Sequence, residues 1–453
     1  MVANDRSPLN GADYALVVLL LVGIYLEIAI MLSPTVPVPS VIAGAAGLAL
    51  IWRRRDEFTA RQLAAFLCIV LVLAVACFCA PDWRHLGKRI TGLIQMTYSL
   101  VIAFGLLLTL TRANRRVLAR IFLTMCLVIL AGAQLESFSW MREISDAARQ
   151  VFYRSGIYES DLRDLIFYGK VRPKFFTSEP SAVTFSFALL SLSWFLSTES
   201  RYRLIIFALL MVGSMVVIPG PTTLIAALAA GAAYMLLPDR DGNANAARRL
   251  ALALGALVAI VLVGSIGSSL YAERLDAIAA GRDPSFFYRV VGPALVAGRV
   301  LIEHGITGIG LTSEEFGGDL AMNVFVQSPS FSTSWRFTKF SEVLTNYFWL
   351  HWIYLGGLFG VLTLVAISVW LRVLGVGALI YCWLVWALFG QASGAYVGPK
   401  TWVVLALVAA LAVPLRRARG APMDNYKTIP PERALGVVPV TLAPRHRLLR
   451  TAQ

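Results

Sequence analysis

The residues best suited to hold a polyanion lie in the stretch Asp283-Pro284-Ser285-Phe286-Phe287-Tyr288-Arg289, which continues through Arg299 and His304 to Gly305-Ile306-Thr307-Gly308-Ile309-Gly310. Asp283 before Pro284 is a helix start, an N-cap with proline in the first turn. Pro293 should kink or restart that helix, and Gly305 should end it. On such a helix Arg289 and Arg299 can both look toward one cavity. With Arg282 just ahead they would form a forked grip on a pyrophosphate, whose oxygens planar guanidinium groups bind two at a time. The plainer reading is a solvated basic face, or pairing with Glu303 and Asp283. The glycine triplet is weak as a phosphate loop, because it follows a helix instead of leading from a strand into one.

A second group runs Arg172-Pro173-Lys174-Phe175-Phe176-Thr177-Ser178-Glu179-Pro180-Ser181. Pro180 suits the first turn of a helix, so Glu179 stands at a helix N-terminus, where the dipole favours its ionised form. An ionised carboxylate there can accept a proton; taken alone, Glu179 also reads as an ordinary cap. As general base the order of preference is Glu179, Glu342, His304. The outer loops hold no metal-binding cluster such as HExxH or DxD, so neither metal nor other cofactor is expected.

These residues need a scaffold, and composition says what kind. Of 453 residues, 58% are hydrophobic and 15% charged, and the mean hydropathy is +0.71. That lies outside soluble globular usage, and the apolar runs are too long and too little alternating for a β-barrel. The expected fold is all-α, a polytopic membrane helix bundle. Five cysteines, Cys68, Cys77, Cys79, Cys126 and Cys382, all fall in apolar spans and read as small buried hydrophobes. The formal charge of +14 is spread over many short connections. It therefore points to membrane orientation and an anionic ligand, not to nucleic acid.

Twelve spans are expected, at about Tyr14–Leu32, Val36–Trp52, Gln62–Ala80, Ile90–Leu110, Val117–Leu135, Pro180–Ser197, Leu204–Ile218, Thr222–Leu237, Leu250–Leu270, Phe348–Leu371, Leu374–Phe389 and Thr401–Leu415. Arginines mark every second connection: Arg53 to Arg55; Arg112, Arg115 and Arg116; Arg201 and Arg203; Arg240, Arg248 and Arg249; Arg372; Arg416, Arg417 and Arg419. By the positive-inside rule both termini are cytoplasmic. The chain then divides into spans 1 to 5 (1–135), a long outer loop (136–179), spans 6 to 9 (180–270), a second long outer loop carrying the arginine helix (271–347), spans 10 to 12 (348–415) and a basic cytoplasmic tail (416–453). Within the first outer loop, Ile144, Ala148, Val151 and Phe152 share one face of a helix suited to the membrane surface. Glu27 stands out as an acidic group deep in a span.

An arginine followed after a few residues by Glu179-Pro180-Ser181 at the mouth of a span resembles the motif of the O-antigen polymerase/ligase superfamily, the Wzy-type bacterial polysaccharide polymerases. So does the arginine helix with Gly308-Ile309-Gly310 after it. Asn346 leading to Leu355-Gly356-Gly357-Leu358-Phe359-Gly360, and Pro399-Lys400-Thr401-Trp402, are similar to later motifs of that superfamily. Two departures stand out. Phe175 occupies a position where those proteins often have glycine, and Pro219-Gly220-Pro221 stands where many have an external Ser-Arg pair, so that Lys88, Arg89 or Arg172 would have to substitute.

The resemblance implies a GT-C-like bundle in the bacterial inner membrane with its active site facing the periplasm. It also implies a donor glycan on undecaprenyl pyrophosphate, with membrane lipid around it and a chain-length-regulating copolymerase as a possible partner. Arg289, Arg299, Arg172, Arg282 and Arg89 would meet the pyrophosphate; Tyr288, Trp335 and Asn346 would meet the sugars. Other aromatics of the outer loops, among them Trp140, Tyr153, Tyr158 and Tyr168, suit sugar faces or interfacial anchors. A ligase to lipid A is the near rival, but the histidine that ligases place before the asparagine is missing here. A flippase or transporter is the rival of another class, disfavoured because the arginines cluster in outer loops and not at the midplane.

Overall fold

A computed structural model describes residues 9–33, 36–153, 158, 161–237, 272–329, 331 and 345–412. The expected span Leu250–Leu270, the tail 416–453, and the site candidates Glu342 and Trp335 lie outside the described residues.

The chain is a mostly helical membrane protein. Eleven of the twelve expected spans coincide with helices: α1 (Gly11–Leu26), α2 (Val41–Arg53), α3 (Ala60–Cys79), α4 (Leu86–Leu110), α5 (Arg115–Phe138), α8 (Pro180–Ser197), α9 (Arg203–Val217), α10 (Thr222–Leu236), α15 (Tyr347–Val373), α16 (Leu379–Gly390) and α17 (Pro399–Leu411). Between α5 and α8 stand α6 (Met141–Phe152) and α7 (Asp161–Tyr168). Between α10 and α15 come α11 (Ala272–Ala279), α12 (Pro284–Phe286), a π-helical turn (Phe287–Val291), α13 (Gly292–Glu303) and α14 (Glu314–Val326). Among the described residues six helices are long and apolar enough to cross a membrane. Five are expected spans; the sixth is Pro284–Glu303, which the sequence places outside the membrane.

Helices apolar all round belong in the middle of a bundle. Every residue of α17 is buried, and every residue of α8 except Ser181. Outer helices do the reverse: Leu63, Leu67 and Leu71 of α3 recur four apart and point outward, the stripe a lipid-facing helix presents. Cys68 and Cys79 of α3 are exposed as well, against the expectation that all five cysteines are buried. Helix α6 follows the same logic on a small scale. Its Ile144, Val151 and Phe152 face out while Ser145 and Arg149 face in, as a helix lying on a membrane surface would.

Two corrections concern the ends of spans. The second span begins only at Val41, because Ile30–Ser33 and Val36–Val38 pair as a short antiparallel ribbon, β1 and β2. Its β-branched residues and prolines suit a ribbon better than a helix. Helix α1 stops at Leu26, so Glu27 is an αL cap at φ 52° and not a mid-span acid.

Charged side chains pair at both ends of the bundle. At one, Arg53 and Arg54 hold Asp13, and Arg54 and Arg112 share Glu57. At the other, α1, α4, α5, α8, α15 and α17 bring together the residues of the candidate site.

Candidate functional site

Glu179 caps α8 with extended backbone, and its carboxylate accepts a hydrogen bond from the Ser181 hydroxyl. Arg289 Nη2 lies 3.5 Å from the same Ser181 oxygen. Burial works to raise the Glu179 pKa, but Arg289, the Ser181 hydroxyl, Lys400 and Arg172, in that order, outweigh it and hold the carboxyl below its ordinary range. The two parts of the chain singled out for chemistry thus meet, with Ser181 between them. Glu179 remains half-buried, within reach of a ligand.

Each cation of this cluster is placed by chain-specific geometry. Lys400, at the start of α17, pairs with Glu27 at 2.9 Å and lies over the Phe185 ring. Arg172 is held by buried Asp164 at 2.8 Å and stacks on Tyr168. Tyr158 donates to Asp164 at 2.8 Å, and burial together with that carboxylate pushes the phenol up to about 12.

Arg289 sits in the π-helical turn, and Pro293 explains the turn. In an α-helix the N–H of residue 293 would bond the carbonyl of residue 289, and proline has no N–H to give. Asn346 Nδ2 donates to that freed carbonyl instead, at 2.7 Å, and the Thr345 N–H donates to the carbonyl of Tyr288. π-turns of this kind recur at functional sites. Asn346 spends the rest of its side chain on Gln391 and on the N–H groups of Phe348 and Trp349, which start α15. No atom is left for the sugar contact expected of it.

Glu179 is aimed by a turn that sequence reasoning missed. Phe175 and Phe176 both have positive φ, 31° and 64°, in the region where glycine is favoured. The strain is held by surrounding donors and acceptors. The Glu136 carboxylate accepts from the N–H groups of Lys174 (2.9 Å) and Phe175, and Ser145 accepts from that of Phe176. Tyr25 and Tyr153 donate to the carbonyls of Phe175 and Phe176. Buried Arg149 donates to the carbonyls of Thr177 and Ser178. The Phe175 ring fills the notch left by Gly132, where an added Cβ would stand 2.0 Å from it.

Other expected site residues have different surroundings. Arg299 is exposed and pairs with Glu303 at 2.6 Å, the plainer of the two readings that its sequence position offers. The π-turn changes the angular offset between Arg289 and Arg299 from that of an unbroken helix. Arg89 is buried, donating to the carbonyls of Ala80, Pro81 and Ile309 and to Ser313; it clamps a loop and presents nothing to a ligand. His304 ends α13 against the Phe316 ring, Arg282 is exposed, and Tyr288 packs on Phe287 and Phe325.

Gly308 and Gly310 form a backbone clasp. Ile309 and Gly310 donate to the carbonyls of Ile353 and Tyr354, and Gly357 donates to that of Gly305. Gly308 and Gly356, with φ of 62° and 64°, approach so closely that a Cβ on either would lie 2.5 Å from the other's nitrogen. The clasp opens the ladder of α15 at Gly356 and ties to that helix the segment that follows α13.

None of the protein-family models, curated proteins or solved structures compared with this chain matches it. The chemistry is therefore argued from its own residues. Among the described residues no group of three or more His, Cys, Asp or Glu is placed to hold a metal ion.

Proposed function

We propose that the chain is a polysaccharide polymerase, a glycosyltransferase that joins lipid-linked oligosaccharide repeat units in exopolysaccharide or O-antigen synthesis. In this reading twelve spans form a GT-C-like bundle in the bacterial inner membrane, with both termini cytoplasmic and the Glu179 end facing the periplasm. The observation that supports it best is the meeting of an ionised acid and an arginine at Ser181, the one accessible residue of an otherwise buried central helix.

The donor is a glycan on undecaprenyl pyrophosphate. Glu179 takes the proton from the acceptor sugar's hydroxyl, and that oxygen bonds to the anomeric carbon of the donor. The bond from that carbon to the pyrophosphate oxygen breaks, and its electron pair leaves with the lipid pyrophosphate. Arg289, with Lys400 and Arg172 behind it, meets the charge that grows there; one preorganised donor in such a place is worth about 3–4 kcal/mol. When pyrophosphate engages Arg289, the arginine's hold on Glu179 weakens and the carboxylate becomes a stronger base. Donor binding thereby switches the base on.

Purified protein incubated with a lipid-linked repeat unit alone tests this. The reading predicts a ladder of longer lipid-linked chains; product only when a lipid A acceptor is added would make the protein a ligase, and transfer of the repeat unit across the bilayer without elongation would make it a transporter.

A further inference from the structure

At the end of the bundle opposite Glu179, a groove of about 620 Å³ opens between α3, α15 and α16. Its walls are apolar, with Val361, Leu364, Val365 and Val369 along one side and the Trp383 ring on another. Two arginines line it, Arg61 in the first turn of α3 and Arg372 in the last turn of α15. Both are exposed, and among the described residues neither has an acidic partner. Trp383 is fixed by donating its indole N–H to Ser368 at 2.9 Å, so that wall is rigid.

We infer that this groove binds one anionic phospholipid of the bilayer, its phosphate between Arg61 and Arg372 and an acyl chain along the valine face. The chemistry is that of an amphiphile. Val361, Val365 and Val369 are each about half exposed, and in a membrane such a face is covered by hydrocarbon. Two guanidinium groups at the mouth of an apolar trough select an anionic head over a zwitterionic one, since a net positive pocket gains little from a headgroup that carries its own cation. Indole beside the arginines suits the headgroup boundary, where tryptophan is enriched. A second copy of this chain would have to bring acidic side chains to two exposed arginines, and the residues lining the groove include none. The site is independent of the glycosyl-transfer reading.

Native mass spectrometry of the full-length protein in detergent, titrated with phosphatidylglycerol or with phosphatidylcholine, tests it. The wild type should retain one phosphatidylglycerol more than phosphatidylcholine. The Arg61→Ala/Arg372→Ala pair should bind that lipid roughly 25-fold more weakly, each basic residue contributing about fivefold toward an anionic headgroup. Val365→Trp, which fills the trough and leaves the charge unchanged, should also lose it, while Arg201→Ala at another exposed position should not. Equal retention of the two lipids by the wild type, unchanged phosphatidylglycerol binding in the double variant, or a dimer that the double variant abolishes would each overturn the assignment.

Discussion

Asn346 occupies the carbonyl of Arg289 that Pro293, four residues on, cannot reach. One asparagine thereby starts α15, ties it to Gln391 and holds the arginine turn in register with the helix beside it. Asn346→Ala removes the cap, worth about 1 kcal/mol, and orphans a carbonyl at a further ~1–3 kcal/mol. Thermal unfolding of the purified variant should fall by several degrees, and polymer yield should fall with it even in correctly inserted protein.

The Gly308–Gly356 clasp permits no side chain. Gly308→Ala must keep a left-handed φ of 62° with its Cβ against the Gly356 nitrogen, so a loss of at least about 2 kcal/mol is expected. Gly298, exposed on α13 with nothing within 4 Å of an added Cβ, gives the opposite sign: Gly298→Ala should be neutral or stabilising by up to ~1 kcal/mol. Denaturation midpoints of the two variants separate a conformational requirement from helix propensity.

Much of this arrangement can be read from residue types, and some of it cannot. Apolar runs gave the spans, and Pro180, Pro293 and Asp283 gave helix starts, because these signals are local. Glu179 and Arg289 stood out for the same reason, the one directly before Pro180 and the other directly after three aromatic residues. What escaped the sequence depends on distant partners. Glu136 is the last-turn carboxylate of α5, and only the fold shows that it faces two main-chain N–H groups 38 and 39 residues away. The donation from buried Arg149 to the carbonyls of Thr177 and Ser178 is likewise visible only in the fold. Lys400 was legible as part of a motif, but its pairing with Glu27 spans 373 residues. The offset between Arg289 and Arg299 could not be read from an ideal helical period, because the turn at Phe287–Val291 is π-helical.

Glu136 positions Glu179 by holding the Phe175–Phe176 turn. Glu136→Gln replaces one accepting oxygen by an N–H₂ that faces another donor, and hydrogen bonds to a charged group are each worth about 1.5–3 kcal/mol. Polymer yield should drop by tenfold or more, and Gly132→Ala should do the same by displacing the Phe175 ring. Glu143→Gln, at an exposed position on α6, should leave it unchanged.

The depressed pKa of Glu179 fixes a pH dependence. A carboxylate stabilised in the folded state contributes stability above its unfolded value, near 4.5, and loses it as pH falls through the lower folded value. Arg289→Met removes the largest of the attractions and raises the folded value toward the unfolded one, so the loss of stability on acidification, which begins near the unfolded value in both proteins, should be smaller than in the wild type and end at a higher pH. In Glu179→Gln that part of the pH dependence should vanish. Thermal unfolding from roughly pH 3 to pH 6 spans the carboxylate range and reads both effects.

The most direct test of the central claim is the elongation rate of purified, membrane-reconstituted Glu179→Gln on a lipid-linked repeat unit, measured with the apparent KM for that substrate. Loss of a general base predicts a turnover lowered by about 10²–10⁴-fold with KM nearly unchanged. Elongation at the wild-type rate in properly inserted Glu179→Gln protein would contradict the account.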